Sequence, residues 1–426
     1  MAVMSTMMSS RASPADLACK IVLNDLPPEI IHSIASYLSR DDLMSLRWAS
    51  RYTYNATFNR FVQTFYRTLR TDFSADSLYM LDRLSSDRRV APHVKSMRLG
   101  RKGPNNIGSR VYWPRSSPFR QLHLSGEGAM HVRWILRRLE NCTSFEFHQP
   151  QGPMRKRQDD LLTADTVSLV LQTLVILNRP IHSFSVNLQC PIYDDSRINL
   201  RALCTLPEQP NLPTITATTR KLSFNFTIRC EHLVSNIFDM VHHSPQLEDL
   251  ELICESGKSS AALLRLVLDA KCSFKLKHLI LVGPNSIWVR PSAATIEAES
   301  LRTYLKRHRE TLQTIKLKEI KLTDHEDWEG IIQDLGTGYS RLKQLHLTRL
   351  HVTDDDGGLG SLRLRLPNWR SLLLDGEVRF YRDTVWSNTR LRRGYGEFAN
   401  AVFYAGPHMD FVCGNLETWP VGEPEW

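Results

Sequence analysis

The sequence predicts an α/β chain: a short all-α segment near the N-terminus followed by an irregular α/β solenoid. Two observations predict the solenoid. A six-residue pattern, apolar-x-x-apolar-x-apolar, recurs ten times between residues 94 and 374, and helix-period segments separate most of the copies. A third observation sets the N-terminal part off. The stretch "LNDLPPEIIHSIASYLSRDDLMSLRWASR" at 23–51 crowds apolar residues at helical spacing onto elements too short to bury them among themselves.

Taken in order, residues 1–20 are Ser- and Met-rich, without the continuous apolar run of a secretory leader, and are expected to form a disordered arm. Residues 21–70 are expected to be helical. Pro27 and Pro28 stand where a helix begins, since a first-turn residue needs no amide hydrogen, and Glu29 follows at the positive end of the dipole. Ile30, Ile31, Ile34, Tyr37 and Leu38 then make one broad stripe. Ser39 with Asp42 reads as a variant capping box opening a second helix that carries Leu43, Leu46 and Ala49. A third helical segment, "YNATFNRFVQTFYRTLR", supplies Phe58, Phe61, Val62, Phe65 and Leu69.

Residues 71–375 hold the repeats. The copies begin at 94, 119, 142, 181, 219, 247, 276, 312, 342 and 369, at intervals of 23 to 39 residues. "GAMHVRWILRRLEN", "TADTVSLVLQTLVILN", "HLVSNIFDMVHHS", "SSAALLRLVLDA", "EAESLRTYLKRHRE" and "DHEDWEGIIQDLG" are the intervening helices. A doubly wound sheet would want long apolar strands and a Gly-rich first turn, and neither is present. Each repeat leaves its apolar face incomplete until the next stacks on it, so the array needs caps, and the helical cluster is placed to be one of them. The aromatic-rich tail, 376–426, breaks the period and is expected to cap the other end, with a short helix near 396–404; a flap over the binding face is the alternative.

Composition narrows the function. Lys and Arg number 54 and Asp and Glu 45, a net charge of +9, which keeps nucleic acid open as a partner without favouring it. The eight cysteines contain no CxxC pair and are too sparse for a disulfide scaffold, which suits a reducing compartment, cytosol or nucleus. The most apolar window, "VSLVLQTLVIL" at 167–177, is too short to cross a bilayer. No GxSxG, GxxxxGK[ST] or HExxH occurs. The acidic turn "TDDDGGLG" at 353–360, the basic "MRKRQDD" at 154–160 and the pair His242–His243 read as solvated loops and a helix end rather than as sites. No catalytic residue, metal site or cofactor is expected.

The N-terminal residues resemble the F-box, the helical motif that docks onto the adaptor subunit of a cullin-RING (SCF-type) ubiquitin ligase. The family's opening Leu-Pro-x-Glu-Ile is matched by Leu26, Pro27, Pro28, Glu29 and Ile30. Its apolar pair and aromatic-Leu ending are matched by Ile31, Ile34, Tyr37 and Leu38, and its Asp-Leu with a second Leu by Asp42, Leu43 and Leu46. "LRWASR" at 46–51 is similar to the form common in filamentous fungi. The closing Val-Cys-x-x-Trp is absent: Trp48 comes earlier, and Tyr52 and Tyr54 occupy the later region. The resemblance covers roughly 45 of 426 residues. The remainder is leucine-rich-repeat-like, a usual companion of the F-box, though without a clean Asn signature.

The resemblance implies a non-catalytic receptor that binds the adaptor, and through it the cullin, with Leu26, Pro27, Pro28, Ile30, Ile31, Ile34, Tyr37, Leu38, Leu43 and Leu46. A protein target would sit on the repeats. Outward strand positions single out an acidic pair, Asp249 and Glu251, beside an apolar set, Ile253, Ile280 and Val282, and two lysines, Lys316 and Lys318. The alternative is that the tail folds over Ile280 and Val282. A competing function is a basic nucleic-acid or chromatin-associated scaffold, for which only "RFYRDTVWSNTRLRRGYGEF" in the tail has interleaved aromatics and cations. An F-box protein acting outside any ligase is a further reading.

Overall fold

The computed structural model describes residues 23–100, 107–116, 121–122, 125–148, 161, 163–187, 212–225, 231–254, 258–283 and 295–322. Beyond these it describes 328, 330–331, 334–335, 338–348 and the strand segments 351–353, 359–361, 363–364, 372–373, 377–382 and 409–413. The chain forms two compact units, Met1–Arg67 and Thr68–Trp426.

The first unit is helical. A 3-10 turn, Leu23–Asp25, leads into α1 (Pro28–Tyr37), α2 (Arg40–Ala49), α3 (Arg51–Ala56) and α4 (Phe58–Phe65). Pro28 and Glu29 fill the first turn of α1 as expected. Ser39 caps α2: its Oγ accepts from the Asp42 amide at 3.2 Å and donates to Asp42 Oδ2 at 2.7 Å. A second box was not read from the sequence. Ser50 Oγ accepts from the Thr53 amide and Thr53 Oγ1 accepts from the Ser50 amide, both at 3.1 Å, which starts α3. The expected third helix is therefore divided. Ser50 and Thr57 bound α3, Phe58, Phe61, Val62 and Phe65 lie on α4, and Leu69 belongs to a strand of the second unit.

That unit is a mixed α/β structure built on nine parallel strands. They are β1 (Thr68–Thr71), β2 (Ser96–Leu99), β3 (Ser144–His148), β4 (Ser183–Asn187), β5 (Lys221–Asn225), β6 (Asp249–Ile253), β7 (His278–Val282), β8 (Thr314–Lys318) and β9 (Gln344–Thr348). Each bonds to the next in chain order, with no reversal of order among them. The intervening helices are α5 (Ala75–Ser86), α6 (Glu127–Arg138), α7 (Thr163–Ile176), α8 (Leu212–Thr216), α9 (Glu231–His242), α10 (Lys258–Asp269) and α11 (Ala298–Arg307). Between β8 and β9, Trp328, Ile331 and Leu335 are buried at helical spacing. Neighbouring helices touch in sequence, the arrangement that parallel strands joined by crossovers on one side produce.

Register explains why the pattern repeats. Leu69, Met97, Phe145, Phe184, Leu222, Leu250, Leu279, Ile315 and Leu345 lie opposite one another across all nine strands, and every one is buried. Two residues on, Leu99, Phe147, Val186, Phe224, Leu252, Leu281, Leu317 and Leu347 form a second buried file. The x positions between them point to the other face.

Several expectations are corrected here. Of the ten copies, eight are strands of this sheet. Gln121–Leu122 instead pairs antiparallel with Arg115–Ser116, and Leu372–Leu373 with Arg363–Leu364. The first strand, β1, lies ahead of the first copy, so the expected boundary at residue 70 falls inside it. From the tail, β10 (Glu377–Arg382) and β11 (Met409–Cys413) extend the sheet antiparallel beyond β9. The expected helix near 396–404 and the arm at 1–20 lie outside the described residues. Among the described residues no helix is long and apolar enough to cross a membrane.

Candidate docking and recognition surfaces

In the helical unit, two side chains of the α2–α3 corner hold the Leu-Pro turn. The Tyr52 hydroxyl donates to the Leu26 carbonyl at 2.7 Å, and Ser50 Oγ donates to Asn24 Oδ1 at 2.8 Å. The turn then presents Pro27 and Pro28 to solvent. Along α1, Ile30 is 48%, Ile34 36% and Tyr37 87% exposed. Leu26, Leu38 and Leu46 are half-buried. Ile31 and Leu43, read from the sequence as docking residues, are fully buried. Ile31 and Ala35, four apart, share the inner side of α1, while Ile30, Ile34 and Tyr37, spaced by four and three, share the outer side.

Sequence reasoning missed Arg47. It is buried on α2, with its guanidinium 4.0 Å from the ring centroids of both Tyr54 and Phe61 and 5.8 Å from that of Phe58. Its Nη1 donates to the Tyr54 carbonyl at 2.9 Å. A cation set among rings and a carbonyl ties α2 to α3 and α4. A charged residue on a short amphipathic helix reads as solvent-facing in sequence; only the aromatic run that follows hinted otherwise.

On the sheet, the seven sequence-selected residues come together in register. Asp249 on β6 lies opposite His278 on β7; Glu251 opposite Ile280, itself opposite Lys316 on β8; and Ile253 opposite Val282, itself opposite Lys318. Six of them are half-exposed. Val282 is the exception at 7% exposure, which withdraws it from the surface. Ser223 Oγ donates to Glu251 Oε2 at 2.6 Å, and His278 Nε2 stands 3.9 Å from Asp249 Oδ1. Further along the same face, Arg98 Nε pairs with Glu146 Oε2 at 2.7 Å and His148 Nε2 lies 3.5 Å from it. The hydrogen bond with His148, opposed by burial and aided by Arg98, holds the Glu146 carboxyl below the usual carboxylate range. The tail segments between and after β10 and β11, expected either to cap the array or to cover Ile280, lie outside the described residues, as do residues 154–160 and 354–358.

One buried group stands apart from both surfaces. His308, just after α11, is solvent-free, and neither ring nitrogen has a hydrogen-bond partner. Its ring stacks on Phe274 with centroids 5.5 Å apart and meets the Tyr304 ring edge-on at 4.9 Å. Burial, then the charges of Arg307 and Lys275, lower its pKa to about 4. Among the described residues, no three His, Cys, Asp or Glu side chains stand together as metal ligands.

The chain matches no family model and no curated protein.

Proposed function

We propose that the chain is the target-recognition subunit of a cullin-RING (SCF-type) ubiquitin ligase. In this reading, residues 23–65 act as an F-box, the parallel-stranded unit is an irregular leucine-rich-repeat-like solenoid that carries the target, and the chain performs no bond chemistry. Such a receptor would work in cytosol or nucleus, raising the local concentration of its target near an enzyme brought by other subunits. One observation carries the reading: a pinned Leu-Pro turn followed by Ile30, Ile34 and Tyr37 with much of their surface open. Each of those side chains would add about 1–2 kcal/mol on being covered, enough together to anchor an interface after the entropy of association is met. Ile31 and Leu43 support the helical unit itself in this scheme, and Pro27, Pro28, Ile30, Ile34 and Tyr37 make the contact.

Co-purification with the adaptor tests it. Ile30→Asp combined with Ile34→Asp changes exposed positions, so far-UV dichroism should be kept while adaptor binding is lost; retained binding would refute the docking assignment. For the target face, reversing Asp249 and Glu251 to Lys should change the set of captured proteins while sparing the adaptor. An unchanged set would remove that site. Charged positions of both signs on this face, Glu146, Asp249 and Glu251 with Arg98, Lys316 and Lys318, fit a protein ligand.

A further inference from the structure

The helical side of the second unit carries an aromatic and cationic surface that the receptor reading does not use. On α5, Tyr79 is 60% exposed with the Arg83 guanidinium 5.9 Å from its ring centroid. On α6, Trp134 is 50% exposed, with Arg137 at 5.6 Å and Arg138 at 6.0 Å from its ring, and Met130 lies exposed one turn before it. The two helix faces form one surface because Arg138 bridges them, donating to Asp82 Oδ1 at 2.6 Å and Ser86 Oγ at 3.0 Å. His131 Nε2 stands 3.8 Å from the same carboxylate oxygen. Asp82 is thereby committed. Arg83 and Arg137 are left as guanidinium groups without a carboxylate partner among the described residues.

Trp, Tyr and Arg set together at a half-exposed position are the side chains that dominate protein interfaces, and scattered apolar exposure does not assemble them. We propose that this α5–α6 face is a second docking surface, and that its occupant is an acidic protein segment with an apolar anchor. Charge complementarity selects that occupant. Two uncompensated guanidinium groups flank the aromatic centre, so carboxylates would pair with Arg83 and Arg137 while an apolar side chain covers Trp134 and Met130. A second copy of the chain is disfavoured, because a self-complementary contact would set Arg83 and Arg137 against like charges. Single-stranded nucleic acid is disfavoured because guanidinium groups already occupy the space by the Trp134 ring and Asp82 lies within the surface.

Fluorescence anisotropy with the full chain tests this independently of adaptor binding. The probes are a labelled amphipathic peptide with Glu on one face and Leu and Phe on the other, its Lys-for-Glu counterpart, and a labelled oligo-deoxythymidine. The acidic peptide should bind, about tenfold more weakly to Arg83→Glu/Arg137→Glu and about tenfold more weakly to Trp134→Ala, with no change in Ile30→Asp/Ile34→Asp. All the replaced residues are exposed, and unchanged thermal midpoints would verify the fold. Failure of the acidic peptide to bind, binding to either variant undiminished from that of the unaltered chain, or a preference for the Lys peptide or the oligonucleotide would overturn the proposal. So would a dimer in sedimentation that Trp134→Ala dissociates, since the occupant would then be a second copy.

Discussion

Replacing His308 with Phe should flatten the acid side of the stability profile. The folded-state pKa of His308, about 4 against 6.5 for the free side chain, means that the folded chain takes up this proton less readily than the unfolded chain. The group therefore contributes fully above the unfolded value, and that contribution is lost as pH falls from about 6.5 toward 4. A 2.5-unit difference corresponds to about 3 kcal/mol when both limits are passed, of which about 2 kcal/mol is lost between pH 8 and pH 5. The physical source is visible in the packing: an imidazole between Phe274 and the Tyr304 edge with no acceptor for either nitrogen. Charging it there would desolvate a cation beside Arg307 and Lys275. Urea unfolding of wild type and His308→Phe at about pH 8 and about pH 5 isolates the effect, because every other titrating group is common to both. Phe keeps the stack on Phe274 and cannot titrate. Equal pH dependence in the two proteins would refute the reasoning.

Two further outcomes follow from the helical unit. Tyr52→Phe removes the hydrogen bond to the Leu26 carbonyl, a loss of about 1 kcal/mol; adaptor affinity measured by calorimetry should fall roughly fivefold with the helices intact. Arg47→Ala deletes a buried cation packed against Tyr54 and Phe61 and leaves the Tyr54 carbonyl without its donor. Loss of about 3 kcal/mol is expected, read as a lower thermal midpoint for the helical unit.

The repeats were legible in the sequence because their buried positions are spaced by the strand itself: an apolar residue two places after another must share its face. That one rule recovered eight of the sheet's strands, and it set Glu251, Ile280 and Lys316 in a single file across three of them. It failed where pairing partners decide the outcome. "FRQLHL" has the pattern, but its described strand pairs with Arg115–Ser116 instead of the main sheet. β1, "TLRT", has one Leu in four residues and follows an aromatic-rich helix, so nothing local distinguishes it from the helix end. At the proposed docking surface, helical periodicity found the stripe without dividing it into core and exterior; Ile31 and Leu43 went in while Ile30 and Tyr37 stayed out. Val282 has the outward register of Ile280 and yet is buried, a distinction that depends on neighbours distant in sequence. Arg47 was invisible for the same reason.

Uniform strand register alongside unequal spacing has an evolutionary corollary. The copies that are neighbouring strands of the sheet start 28 to 48 residues apart, yet each strand meets its neighbour with no slip at the core files. Length can thus be gained or lost in the connecting stretches without moving any ladder position relative to the next. A lineage could lengthen or trim those segments while the spacing of the strands across the sheet stays constant.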